Sequence, residues 1–256
     1  LFPFYYMFIS SIKDPLEFME QIVPPLWVEK TTLENWKTLF NDTMFIPWLI
    51  NSLVIALAST AISLFCGVFG GYALSRLKFV GSTSLGVFIF VTYLVPPALL
   101  FIPLSDLVAL LGLMDNRWSL ILSYPTIMAP FCTWLLMGYF KTIPTDLEDC
   151  ARVDGATRFQ AFYKIIVPLA VPGILSAGIF SFTLSWNEFL YSLVFISSPE
   201  NKTVPVGVVT ALIRFDIFDW GAIMSGALFG CIPVALIYSF FVEYYVTGLT
   251  GGAVKG

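Results

Sequence analysis

This chain has no histidine, and it is poor in charge: 13 Lys and Arg and 17 Asp and Glu, 12% of 256 residues. Soluble domains usually carry about 25% charged residues. Lacking histidine, the chain lacks the commonest general base and metal ligand. Its four cysteines, Cys66, Cys132, Cys150 and Cys231, form no C-x-x-C pair, and three stand in apolar runs, where Cys acts as a small hydrophobe. Neither a zinc site nor a disulfide framework is implied. No G-x-x-x-x-G-K-[ST] occurs, so no loop here cradles ATP phosphates. Clustered Ser and Lys, or paired acids, are also missing from the apolar segments. A membrane enzyme would need such a constellation, so no catalytic residue, metal site or nucleic-acid partner is expected.

What the chain has is apolar sequence: 58% hydrophobic and 17% aromatic residues, with a mean hydropathy of +0.85. Uncharged runs cover Thr43–Ser75, Phe79–Ser105, Trp118–Phe140, Ile165–Asn187 and Trp220–Val242. Each exceeds the ~20 residues that an α-helix needs to cross the hydrocarbon core. A soluble core does not need five such runs. The opening "LFPFYYMFISSIK" has no basic leader and no small-residue cleavage site, and it reads as the outer end of a further, truncated span. The expected fold is therefore all-α: a polytopic transmembrane helix bundle of about six spans, near 1–11, 47–75, 84–105, 118–140, 171–196 and 220–245, with the whole of 1–256 as one transmembrane domain.

Prolines in "LVPPALLFIP" and "SYPTIMAP" should kink the third and fourth spans. Gly67 with Gly71, and Gly226 with Gly230 one step after Ala222, are spaced to let helix backbones approach closely. Sidedness follows from the short loops. "SRLKF" holds two basic residues and no acid, which places Ser75–Ser82, Lys141–Pro168 and the C-terminus in the cytoplasm. Segments 12–46, 106–117 and 197–219 then face outward. Within the first of these, Leu33, Trp36, Leu39 and Phe40 suggest an amphipathic helix, lying at the interface or packed on the bundle.

The most polar long segment is "EDCARVDGATRFQAFYKIIVPLAVPG", Glu148–Gly173. "TDLE" at Thr145–Glu148 and "TRFQ" at Thr157–Gln160 each fit a capping box. Asp154–Gly155 supplies a helix-ending turn. Phe159, Phe162, Tyr163 and Ile166 form an apolar stripe, and Pro168 is expected to end the second helix. The segment 145–167 thus reads as two short helices about a rigid turn, a shape suited to docking in a partner's groove.

These residues resemble the EAA-loop signature of inner-membrane permeases of binding-protein-dependent ABC importers, nearest to the maltose-type second permease of the carbohydrate class. Asp149-Cys150-Ala151 stands where Glu-Ala-Ala is usual, while Asp154-Gly155-Ala156, Phe162 and Pro168 match the pattern. "NSLVIALASTAISL" from Asn51, "GYALSRLKF", "WNEFLYSLVF" and "GLTGGAVKG" extend the likeness over nearly the whole chain. The resemblance implies cytoplasmic coupling helices that enter a cleft of a separate ATPase dimer, which binds ATP and Mg; this chain itself needs no cofactor. It assigns docking to Asp149, Ala151, Asp154 and Gly155, together with Glu148, Arg152, Ala156, Phe159 and Phe162. A second homologous permease, an extracytoplasmic solute-binding protein and the bilayer of the bacterial inner membrane are the other implied partners. The tail Gly248–Gly256 would reach between the ATPase subunits, and the outer segment 197–219 would meet the binding protein.

For the translocation path, Trp186, Asn187 and Glu188 are the candidates. An acid inside the membrane costs roughly 2.5–3.5 kcal/mol and usually faces water or the bundle interior. It could line a path, join helices by a hydrogen bond, or reach the interface. The expected function is transport of a sugar-like solute by ATP-driven alternating access. An ATP-independent secondary transporter or channel is the alternative.

Overall fold

The computed structural model describes residues 2–20, 26–77, 79–214 and 217–250. In chain order the helices are α1 Phe2–Ser11, α2 Pro15–Glu20, α3 Glu34–Asn41, α4 Phe45–Arg76, α5 Ser82–Tyr93, α6 Pro97–Leu110, α7 Arg117–Ser123 and α8 Pro125–Thr142. Then come α9 Asp146–Val153, α10 Arg158–Ala161, a π-turn at Phe162–Ile166, α11 Val167–Leu169, α12 Val171–Trp186, α13 Leu190–Phe195, α14 Val204–Leu212 and α15 Trp220–Thr250. A two-residue antiparallel ladder pairs β1 Ile213–Arg214 with β2 Ile217–Phe218. The architecture is a polytopic helical bundle.

Phe45–Arg76, Arg117–Thr142 and Trp220–Phe241 are each long and apolar enough to cross a membrane unaided. Two further candidates are bent pairs: α5 with α6, at 92°, and the α10–α11 stretch with α12, at 71°. The expected third span is thus not one kinked helix but two helices. Pro96 and Pro97 explain the break, since a residue before proline is pushed out of the α region and Pro97 is ready-made for the first position of α6. The expected fifth span also stops short, at Trp186. The expected first span is represented by α1, ten residues long.

The chain divides into two compact units. One draws on the described parts of Leu1–Ile55, Ser105–Leu120 and Trp186–Leu236. Its core joins Leu39, Phe45, Trp48, Val204, Val208, Leu212 and Ala222. Helix α3 is therefore packed on the bundle: Leu39 is fully buried, Phe40 sits edge-on to Phe45 and Phe229, and Asn35 donates to the carbonyls of Ser11 and Lys13. The outer segment 197–219 contains a short 3-10 turn at Pro199–Asn201 and helix α14, which buries Val204, Val206, Val208 and Leu212. It is tied to α4 by Trp48, which donates to the Pro199 carbonyl, and by Asn51, which donates to those of Glu200 and Lys202.

The other unit draws on Ala56–Leu104, Ile121–Ser185 and the described part of Ile237–Gly256. Here Gly67 and Gly71 make the close backbone approach that their spacing allows, and the helix they meet is α8. A Cβ on Gly67 would sit 2.6 Å from Cys132 Cβ, and one on Gly71 would sit 2.8 Å from the Met137 amide nitrogen. In the first unit, the Gly226–Gly230 pair packs more loosely against α14, at 3.1 and 3.5 Å. Ser59 and Ser185 hydroxyls meet at 3.0 Å. Ser185 belongs to α12, so this bond joins α4 to a different helix, and such bonds between membrane helices average only about 0.6 kcal/mol.

Candidate functional site

The polar insert folds as helix, turn, helix. Helix α9 ends in a Schellman motif: Ala156 N–H donates to the Ala151 carbonyl at 2.9 Å and Gly155 N–H to that of Arg152 at 3.1 Å. Gly155 has φ +89°, a left-handed conformation that costs a side-chain-bearing residue roughly 1–2 kcal/mol. The next helix starts as expected. Thr157 and Gln160 form a reciprocal capping box, with bonds of 2.8 and 3.2 Å. Both ends of the turn are fixed.

The first capping box is not formed. Thr145 adopts helical backbone angles and makes no side-chain cap bond. Its intended partner, Glu148, points inward instead. The Glu148 carboxylate accepts a hydrogen bond from the Tyr72 hydroxyl and lies 3.6 Å from Arg76 Nε. Arg76 Nη2 donates to the carbonyls of Phe140 and Ile143, at the end of α8. A cation there also complements the helix dipole. The Arg76 and Glu148 side chains are only 6% and 12% exposed, so solvent screens this pair little. By contrast, Arg152 and Asp149 approach at 3.9 Å with 51% and 71% exposure, an arrangement worth about 0–1 kcal/mol.

This inward anchor sorts the predicted residues into two sets. Glu148 and Ala151 face the core. Phe162 is also buried, its ring 4.5 Å from that of Tyr72 and 5.5 Å from that of Phe69. Asp149, Cys150, Arg152, Val153, Asp154, Gly155 and Phe159 are exposed, and Ala156 is half-buried. The apolar stripe therefore splits: Phe162 and Ile166 go inward, Phe159 and Tyr163 outward. Asp146, Asp149, Cys150, Val153 and Asp154 line an open hollow of about 370 Å³. Pro168 does not end the helix. The π-turn before it closes with Val167 N–H to the Phe162 carbonyl, and the chain stays helical to Leu169. Proline has no N–H to give, and local π geometry re-satisfies backbone groups that a proline would orphan.

Trp186, Asn187 and Glu188 lie where α12 breaks before α13. Trp186 is 4% exposed and donates through Nε1 to the Gly230 carbonyl at 3.0 Å. Glu188 accepts from the amides of Tyr191, at 2.9 Å, and Ser192, at 3.2 Å, so its carboxylate caps α13. Asn187 is exposed. Beyond Thr250, the glycine-rich tail lies outside the described residues, as does Lys78 of the "SRLKF" charge argument. Sequence reasoning missed Tyr72 entirely and used Arg76 only as a sidedness charge. Their spacing of four, one helical turn, at the end of an apolar run was the available signal.

With this architecture in view, the fold is that of an ABC importer transmembrane subunit. It resembles a chain in the crystal structure of a bacterial ABC transporter that imports the acidic polysaccharide alginate, with TM-score 0.81 and 22% identity over 95% of this chain and 90% of that one. A second structure of an alginate ABC transporter, bound to an alginate pentasaccharide-loaded periplasmic protein, gives TM-score 0.66 at 15% identity, over 89% and 84%. The chain belongs to the family described as binding-protein-dependent transport system inner membrane component, whose model matches residues 62–251. Among its relatives are the inner membrane ABC transporter permease protein YcjP of Escherichia coli K12, 35% identical over all of this chain and 91% of that protein, and the sulfoquinovosyl glycerol transport system permease protein SmoH of Agrobacterium fabrum, 36% identical over 100% and 89%. The molecule is thus a multi-pass permease subunit of the inner membrane, and an ATP-independent carrier is not favoured.

Proposed function

We propose that this chain forms half of the translocation path for a sugar or sugar-like solute, and that its α9–Gly155–α10 unit is the cytoplasmic coupling element. The carrying observation is that two short helices are locked at their turn and anchored from behind, which leaves one rigid face outward. Asp149, Arg152, Val153, Asp154 and Phe159 supply that face. Glu148, Ala151 and Phe162 hold it from within, and Gly155 with Ala156 shapes its turn. Val153 is 87% exposed, apolar and unsupported by neighbours, as expected of a residue that a partner covers.

The remaining parts follow from the family. A separate ATPase dimer would bind ATP and Mg, a second homologous permease would complete the path, and a binding protein would deliver solute on the side opposite the coupling element. The relatives that import sulfoquinovosyl glycerol and alginate motivate the carbohydrate class. Asn187, exposed at the α12–α13 break, and Glu188, which fixes that break, are the candidate path residues in this reading. Trp186 braces them against Gly230.

The docking role is tested by co-purification of the tagged permease with its ATPase. Val153→Asp combined with Phe159→Asp is expected to cut recovery of the ATPase at least roughly tenfold, since charged groups placed in the centre of an interface commonly cost more than 1.4 kcal/mol. Wild-type recovery with this double variant would rule the outward face out as the docking surface.

A further inference from the structure

We propose that the buried Arg76–Glu148–Tyr72 cluster is the joint that passes motion of α9 into α4, which makes Glu148 a positioning residue of transport rather than an ATPase contact. The proposal rests on the docking reading above. Its basis is what touches α4. From the first arm of the insert, Glu148 engages both Tyr72 and Arg76. From the second arm, Phe162 lies against the same Tyr72 ring at 4.5 Å. Both sides of the Gly155 turn therefore bear on one residue of α4.

The nature of the contacts decides which can transmit force. Ala151, the other inward residue of α9, offers only a methyl group, and such a contact slides. The Glu148 carboxylate accepts a directional hydrogen bond from Tyr72 and lies 3.6 Å from the Arg76 Nε charge, in a site shielded from water. Arg76, one helical turn from Tyr72, also holds the last carbonyls of α8. One guanidinium thus closes the ends of α4 and α8 onto α9. Moving α9 alone would separate the buried carboxylate from its counter-charge, Arg76, which is strongly unfavourable. Moving α9 together with the end of α4 keeps them paired. Cooperative displacement is the lower-energy course.

Hydrogen–deuterium exchange on the assembled transporter in nanodiscs, with and without ATP plus vanadate, reads the two ends of this joint separately. In the wild type, trapping should alter exchange both in α9 and in the Tyr72–Arg76 end of α4. Glu148→Gln keeps the shape and a hydrogen-bond acceptor for Tyr72 but removes the charge. Tyr72→Phe keeps the ring against Phe162 and removes only the hydroxyl. In each variant the α9 response should persist, while the α4 response shrinks roughly threefold or more, within the range of coupling losses seen on disrupting a physical link. A residue needed only for folding would lower both responses together. An α4 response equal to wild type in both variants, with α9 still responding, overturns the joint and leaves the docking reading standing. A wild-type α9 that does not respond to trapping overturns the docking reading, and the joint with it.

Discussion

Two single residues carry backbone conformations that their neighbours require. Gly155 is one. A Cβ there would meet nothing within 4 Å, so Gly155→Ala should cost only the left-handed penalty, about 1 kcal/mol, and leave binding-protein-stimulated ATP hydrolysis near normal. Gly155→Pro cannot adopt φ +89° and loses the amide bonded to Arg152. It should abolish that stimulation, and retention of the wild-type stimulated rate would contradict a role for the turn. The second residue is Asp115, at φ +57°. Its carboxylate accepts from the Ser198 hydroxyl and from the amides of Ser197 and Ser198, at 3.0 and 2.8 Å, while its carbonyl accepts from Asn201. The Ser198 hydroxyl bond is the main cause that holds the Asp115 carboxyl below its ordinary value of 3.8. A depressed folded-state pKa stabilises above the unfolded value and ceases to do so as pH falls through the lowered one. Limited proteolysis of the 197–203 segment should therefore accelerate below about pH 3.8 in the wild type. Asp115→Asn should be more readily cut at neutral pH and show a flatter acid response.

At the scale of elements, the glycines of α4 offer a clean comparison. Gly67→Ala would drive a methyl into Cys132, and Gly71→Ala into the α8 backbone. Each should destabilise by about 1–3 kcal/mol, the usual range for overpacking, seen as a lowered unfolding temperature in detergent. Gly138, on α8 itself, has open space where its Cβ would be, so Gly138→Ala should leave that temperature unchanged or raise it. Element boundaries also show where sequence pattern fails. The box at Thr157–Gln160 was readable because both partners lie within four residues and nothing else competes for them. The box at Thr145–Glu148 looked equally good. Its glutamate was taken by Tyr72 and Arg76, residues more than 70 positions earlier, and a buried cation outweighs an exposed amide as partner for a carboxylate. Likewise, the uncharged run 165–187 revealed a span but not its stop at Trp186. Glu188, the first charge after the run, caps α13 beyond the break.

At the scale of the molecule, transport requires partners. Purified without an ATPase subunit, the chain is expected to hydrolyse no ATP; addition of ATPase, second permease and loaded binding protein should restore hydrolysis in proteoliposomes. Hydrolysis by the isolated chain would overturn the division of labour proposed above. The sequence by itself determined the membrane class, the helical architecture, the small-residue spacing of α4, the Asp154–Gly155 turn and the family. These depend on composition, periodicity and short-range chemistry, which are local properties. The tertiary structure alone decided which way Glu148 and Phe162 point, and that α3 and α14 are packed rather than loose. Those outcomes depend on which distant groups meet: Tyr72 and Arg76 for Glu148, the Tyr72 ring for Phe162, and apolar neighbours for α3 and α14. In a low-dielectric interior such a meeting decides whether a buried charge is paired or costly.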